Sequence, residues 1–198
     1  MKAIISILFI LLKSVIFSQD SISEYYEEVT SGSELSASKN KFRFYKDVKI
    51  YVYGEKDDTL ISELHKIVSE LNELIESVNI EIVTDSTKSN INIYFGSEEY
   101  ICSVRPGKLV QDLATYAQGF AITYPYYNIL NGSLVFVNTH RIENMVRKKH
   151  VLREELTQAF GFCHDSYKYP TSIFYELYSN VTSFSEIDKL VIARHYLK

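Results

Sequence analysis

The sequence predicts an α/β (α+β) domain, a twisted mixed sheet of about five strands with three main helices packed on it. Three observations carry this. Apolar residues recur at helical spacing over 58–78, between two strand-like segments. A helix in that place argues a crossover, and so a parallel strand pair. Short alternating runs recur at 43–53, 79–84, 90–95, 119–130 and 133–138. Finally, 198 residues with 46% hydrophobic and 23% charged side chains make one ordinary globular domain. Seven Gly and three Pro exclude collagen-like and low-complexity chains.

The elements follow in order. Residues 1–18 read as a signal peptide: Lys2 is the positive n-region, residues 3–12 the apolar core, and Ser18 the small residue before cleavage. Lys13 breaks the apolar run, which is too short for a comfortable membrane span. Export to the periplasm or the outside is expected. The alternative is an uncleaved anchor. After cleavage the chain begins at Gln19 and carries 19 basic against 25 acidic side chains. That balance offers nothing to a nucleic-acid backbone. In an oxidising compartment Cys102 and Cys163, 61 positions apart, either pair or remain two buried thiols.

Residues 19–41 are acidic and Ser-rich and read as a flexible leader, so the folded domain is expected over 42–198. Residues 43–53, rich in Val, Ile and Tyr, form a strand that ends at Gly54. Leu60, Leu64, Ile67, Leu71, Leu74 and Val78 then recur at spacings of three and four, and Asp57 or Asp58 can cap the helix they define. Residues 79–84 and 90–95 alternate as strands. Residues 97–116, with Pro106-Gly107, read as irregular. Asn131-Gly132 is a two-residue turn signal between the strands 119–130 and 133–138, which predicts a hairpin. A helix is expected over about 141–160, stopped by Gly161. Residues 162–184 read as a long loop, and a last helix starts at Ser185, with Asp188 three residues on to complete a capping box.

Residues 153–174 carry the functional signal. Glu154 and Gln158 are four apart, so on a helix they share a face. Glu155 flanks that face, beside the apolar stripe of Leu152, Leu156 and Ala159. Gly161 lets the chain reverse, so His164 can return toward Glu154 and Gln158. The bland alternative is a solvated polar helix face followed by a surface histidine. His150, one turn before Glu154, could substitute as a ligand, although Lys148 and Lys149 beside it suggest a basic face.

Residues 154–164 are similar to the metzincin zinc-peptidase motif H-E-x-x-H-x-x-G-x-x-H. Glu155 stands at the general-base position, Gly161 at the turn and His164 at the third ligand. Glu154 and Gln158 stand where the first two ligands are histidines. Tyr169 to Phe174 resembles the Met-turn, with Phe174 in place of Met. The segments 154–165, 169–174 and 185–189 also resemble an exported bacterial family, the domain-of-unknown-function 2927 family, itself similar to zincins. Phe160, Phe162 and His164 depart from that family's Leu, Leu and Asn.

The resemblance implies a zincin-like fold with a degenerate zinc site. Gln is a poor zinc donor, so Glu154, Gln158 and His164 would hold zinc or another divalent metal weakly. The expected role is a catalytically inactive domain that binds a peptide or protein in its cleft. The alternative is an active metal-dependent hydrolase with Glu154, Gln158 and His164 on the metal and Glu155 as general base. A third reading is a plain interaction domain with no working cleft.

Overall fold

The computed structural model describes residues 20–32 and 40–197. The proposed signal peptide therefore lies outside the described residues. Five strands form one sheet in the order β2-β1-β3-β5-β4. They are β1 (Val48–Gly54), β2 (Ile80–Ile82), β3 (Ile91–Gly96), β4 (Gly119–Tyr126) and β5 (Ile129–Asn138). β1 pairs parallel with β2 and β3, β3 pairs parallel with β5, and β4 runs antiparallel to β5 at the edge. The crossover from β1 to β2 is the long helix α2 (Asp58–Leu74), as its apolar spacing predicts. Asp57 caps it, its carboxylate accepting from the Thr59 and Leu60 amides. The helix ends at Leu74, short of the expected 78. Ile75 and Val78 stay buried beyond it, so the apolar spacing outlasts the helix.

Three expectations are corrected. Residues 19–41 are not wholly a flexible leader: residues 20–30 form a helix, α1, whose Tyr25 and Val29 are fully buried in the main core. Residues 97–116 are not irregular but hold two short helices, α3 (Glu98–Val104) and α4 (Lys108–Tyr116). Ser97 caps α3 by accepting from the Tyr100 amide, with Glu98 and Glu99 in its first turn. The hairpin forms, but its turn is Tyr127-Asn128, with Tyr126 opposite Ile129. Asn131-Gly132 lies inside β5 as a bulge opposite Tyr124. The bulge places Ser133 where its amide bonds the Asn90 carbonyl at 2.9 Å and opens the pairing with β3.

Helices cover both faces of the sheet. On one, α1, α2, α5 (Met145–Gln158) and α6 (Glu186–Tyr196) enclose the main core; on the other, α3 and α4 enclose a smaller cluster around Phe120, Ile122 and Phe136. Cys102 packs with the smaller cluster and Cys163 against the main core, so the two do not bridge each other. Asn144 rather than residue 141 starts α5, its side chain accepting from the Val146 amide. The expected capping box of α6 is present. Asp188, fully buried, also accepts from Ser172 Oγ at 2.5 Å and the Ile173 amide at 3.2 Å, which ties the 162–184 loop to α6.

α6 also closes the reversal after α5. Gly161 has φ +103°, and a Cβ there would stand 1.9 Å from the Phe42 carbonyl oxygen. No other residue fits that turn. His195 Nε2 donates to the same carbonyl at 2.8 Å. Burial pushes the His195 pKa down to about 4, with Arg43 and Lys41 adding to the effect against the Phe42 hydrogen bond. In the unfolded chain the ring titrates near 6.5. Between those values the unfolded state holds a proton the folded state lacks, so stability falls as pH drops from about 6.5 to 4, by about 3 kcal/mol. The melting temperature of wild type is expected to fall more steeply across that window than that of His195→Gln; parallel curves would refute it.

Candidate functional site

The central helix α5 is buried on every side from His150 to Thr157, eight residues in a row. Polar side chains in such a run must find partners inside the protein. Arg153, fully buried, points to α2, where it bonds Glu63 at 2.9 Å and pairs with Glu70. A Glu154 carboxylate oxygen lies 3.2 Å from His150 Nε2, one turn back, without a hydrogen bond joining them. The other His150 nitrogen, Nδ1, donates to the Val181 carbonyl at 2.7 Å. His150 is thus fully buried, not part of a basic face.

Glu155 and Gln158 take a third direction, toward β4. They line a cleft of about 560 Å³ between α4, β4 and the chain after α5. Asp165 and Cys163 complete that wall, Leu109 and Leu113 come from α4, and Phe42 closes one side. Gly119, at the start of β4, makes the close approach possible: a Cβ there would stand 2.4 Å from Val151 and 3.0 Å from Glu155 Cγ. Among the described residues β4 pairs only with β5, so the other edge of the strand faces the cleft side.

The structure therefore divides the residues that the sequence groups. Glu155 and Gln158 share the cleft; Glu154 turns to His150; half-buried His164 is not among the lining residues. Asp165, the neighbour of His164, takes its place, accepting from Gln158 Nε2 at 2.9 Å. The one sequence sign of Asp165 is its position directly after the third ligand of the motif. Phe174 is fully buried and stacks on Phe162, with centroids 5.3 Å apart.

This donor set does not fit a catalytic zinc, which wants three protein ligands and an open position. Gln158, whose amide is a weak metal donor, turns its Nε2 to Asp165, and neither Glu154 nor His164 lines the cleft with it. Among the described residues no three His, Cys, Asp or Glu side chains are grouped to hold a metal ion. Among the same residues, no helix is long and apolar enough to cross a membrane.

A family model described as a protein of unknown function (DUF2927) matches residues 19–198. No curated protein matches the chain. Among solved structures the chain is similar to the crystal structure of myroilysin, with TM-score 0.51 and 11% identity over 87% of this chain and 93% of that one. A second structure of myroilysin gives TM-score 0.49 and 13% identity over 79% and 82%. At such identity the first likeness speaks for the fold alone: a zincin-like mixed α/β domain.

Proposed function

We propose, for a chain that belongs to the DUF2927 family of proteins of unknown function, the role of an exported, catalytically inactive domain that binds a peptide or protein. One observation carries the reading: the open edge of β4 borders a cleft of about 560 Å³. A bare strand edge offers unpaired amides and carbonyls to an extended chain. A peptide laid along β4 gains main-chain hydrogen bonds, while Leu109, Leu113, Glu155 and Asp165 supply side-chain contacts. Glu155 occupies the general-base position of the zincin frame, yet Glu154 does not line the cleft with it and Gln158 bonds Asp165. Its duty in this reading is to shape the cleft.

Export rests on the charge and hydropathy pattern of residues 1–18, and the family match begins directly after the expected cleavage point. One preparation tests both parts. Protein isolated from the exported fraction, without chelator or nickel column, is expected to have a mass that begins at or near Gln19. Its zinc content is expected to be far below one ion per chain. An intact Met1 would refute cleavage and leave the uncleaved anchor, and protein found only in the cytoplasmic fraction would refute export. One retained zinc per chain would replace this reading by the metal-dependent hydrolase, with Glu155 as base.

A further inference from the structure

We infer that the tip of the β4–β5 hairpin is a second docking zone for the peptide received by the cleft, so that the ligand pairs a basic residue with an aromatic or large aliphatic one seven positions along. This rests on the reading of the cleft given above. The tip presents apolar surface that nothing in the described fold covers: Tyr124 is 51% exposed, Tyr126 65%, Tyr127 78% and Ile129 45%. Tyr124 and Pro125 also line the cleft, so tip and cleft form one continuous surface.

The tip is also costly to keep as it is. Tyr127 has φ +55°, a left-handed conformation that disfavours a bulky side chain. The Asn-Gly pair suited to such a turn sits instead in the bulge at 131–132. The Tyr127 ring, held against its backbone preference, packs edge-on to Tyr126 at 4.7 Å between centroids and is otherwise turned to solvent. A bound partner would give it a use. The tip is braced as a platform should be. The Arg43 amide donates to the Asn128 carbonyl at 3.3 Å, and the Leu130 amide donates to the Arg43 carbonyl at 3.0 Å. Binding to a braced surface loses less conformational freedom.

Charge and geometry name the occupant. The chain carries net charge −4, and Glu155 and Asp165 put carboxylates at the far end of the cleft. A second acidic copy or an anionic membrane is repelled there, and a basic side chain is attracted. Gly119, beside Glu155, and Tyr126 are the two ends of β4. An extended ligand covering those seven steps spans about 23 Å. Alternation adds a parity rule. Ala121 faces the α5 side, and Phe120 and Ile122 face the α4 side. Gly119 and Tyr126 therefore lie on opposite faces, and so would the ligand side chains opposite them. Seven, an odd separation, satisfies both length and face; six and eight do not.

The test uses fluorescein-labelled peptides of about twelve residues, Ser and Thr throughout except one Arg and one Phe, with the Arg–Phe separation varied. Fluorescence anisotropy with the mature chain is expected to give tightest binding at seven, by about tenfold over six and eight. Tyr126→Ser with Tyr127→Gly changes only exposed side chains and relieves the turn, so the variant folds. It is expected to lose the spacing preference while keeping Arg-dependent binding. Wild-type affinity that ignores spacing, or a double variant that keeps the preference, overturns the hairpin zone and leaves the cleft reading standing. Tyrosine-dependent dimerisation in sedimentation would also overturn it, in favour of a second copy. Failure of every peptide to bind wild type would sink the cleft reading and this inference with it.

Discussion

Replacing Arg153 by alanine is expected to remove about 3–5 kcal/mol of stability, the cost of breaking a buried ion pair from one side. Arg153 is fully buried and Glu63 is 6% exposed, so the glutamate cannot recover its hydration without opening the α2–α5 contact. Lys149, 3.8 Å from Glu63, is a weak substitute for a 2.9 Å guanidinium bond. The guanidinium also lies over the Phe184 ring, 4.6 Å from its centroid, and that packing goes too. For a chain of this length the loss amounts to roughly 6–20 °C in melting temperature. Converting the pair to hydrocarbon, Arg153→Met with Glu63→Met, is expected to recover most of it, because the buried Glu63 charge goes with its partner while Glu70, 28% exposed and 3.9 Å from Lys66, keeps water and a counter-ion. If Arg153→Ala melts within about 1 kcal/mol of wild type, the ion pair is not what fixes α5 on α2. The consequence reaches the cleft. Arg153 lies about 200° around the helix from Glu155, so the pair that holds one face to α2 sets the direction of the other.

That rotation of α5 explains why the fold was more legible in the sequence than the site. The α2 crossover and the strands declare themselves through apolar periods of 3.6 and 2, which depend only on a buried side. α1 is hard to read because its buried face is Tyr25, Tyr26, Val29 and the polar Thr30, among acids and serines. α3 and α4 escaped because each is short and Pro106-Gly107 parts them. The hairpin turn was misplaced because Asn-Gly favours any site of positive or irregular backbone, and here the pairing with β3 uses it as a bulge. For the site, spacing put Glu154, Glu155 and Gln158 on adjacent rows of one helix. Which row faces the cleft depends on partners from distant elements. Glu154 lies beside His150, off the cleft, and Asp165 accepts from Gln158. A motif frame fixes positions along a helix; it does not show which polar neighbours engage each side chain.

Phe174→Ala is expected to cost about 3–5 kcal/mol, the range for truncating a fully buried aromatic ring. Phe174→Met, which restores the residue of the metzincin turn, should cost less than about 1.5 kcal/mol, since Met is flexible enough to refill the space. The difference between these two variants tests whether the position needs volume or a ring. The effect should also spread beyond stability. Phe174 stacks on Phe162, and its carbonyl accepts the Ser166 amide at 2.7 Å. Ser166 in turn accepts the Glu176 amide at 3.1 Å, so the two strands of this loop are stitched across the ring. Asp165, the residue before Ser166, is the one that holds Gln158 in the cleft. Loosening the ring therefore loosens the cleft wall. Hydrogen exchange should show amides 163–176 losing protection in Phe174→Ala while those of β1 and β3 keep most of theirs. Equal loss everywhere would mean that Phe174 supports only global stability, and that the turn it occupies does nothing particular for the cleft.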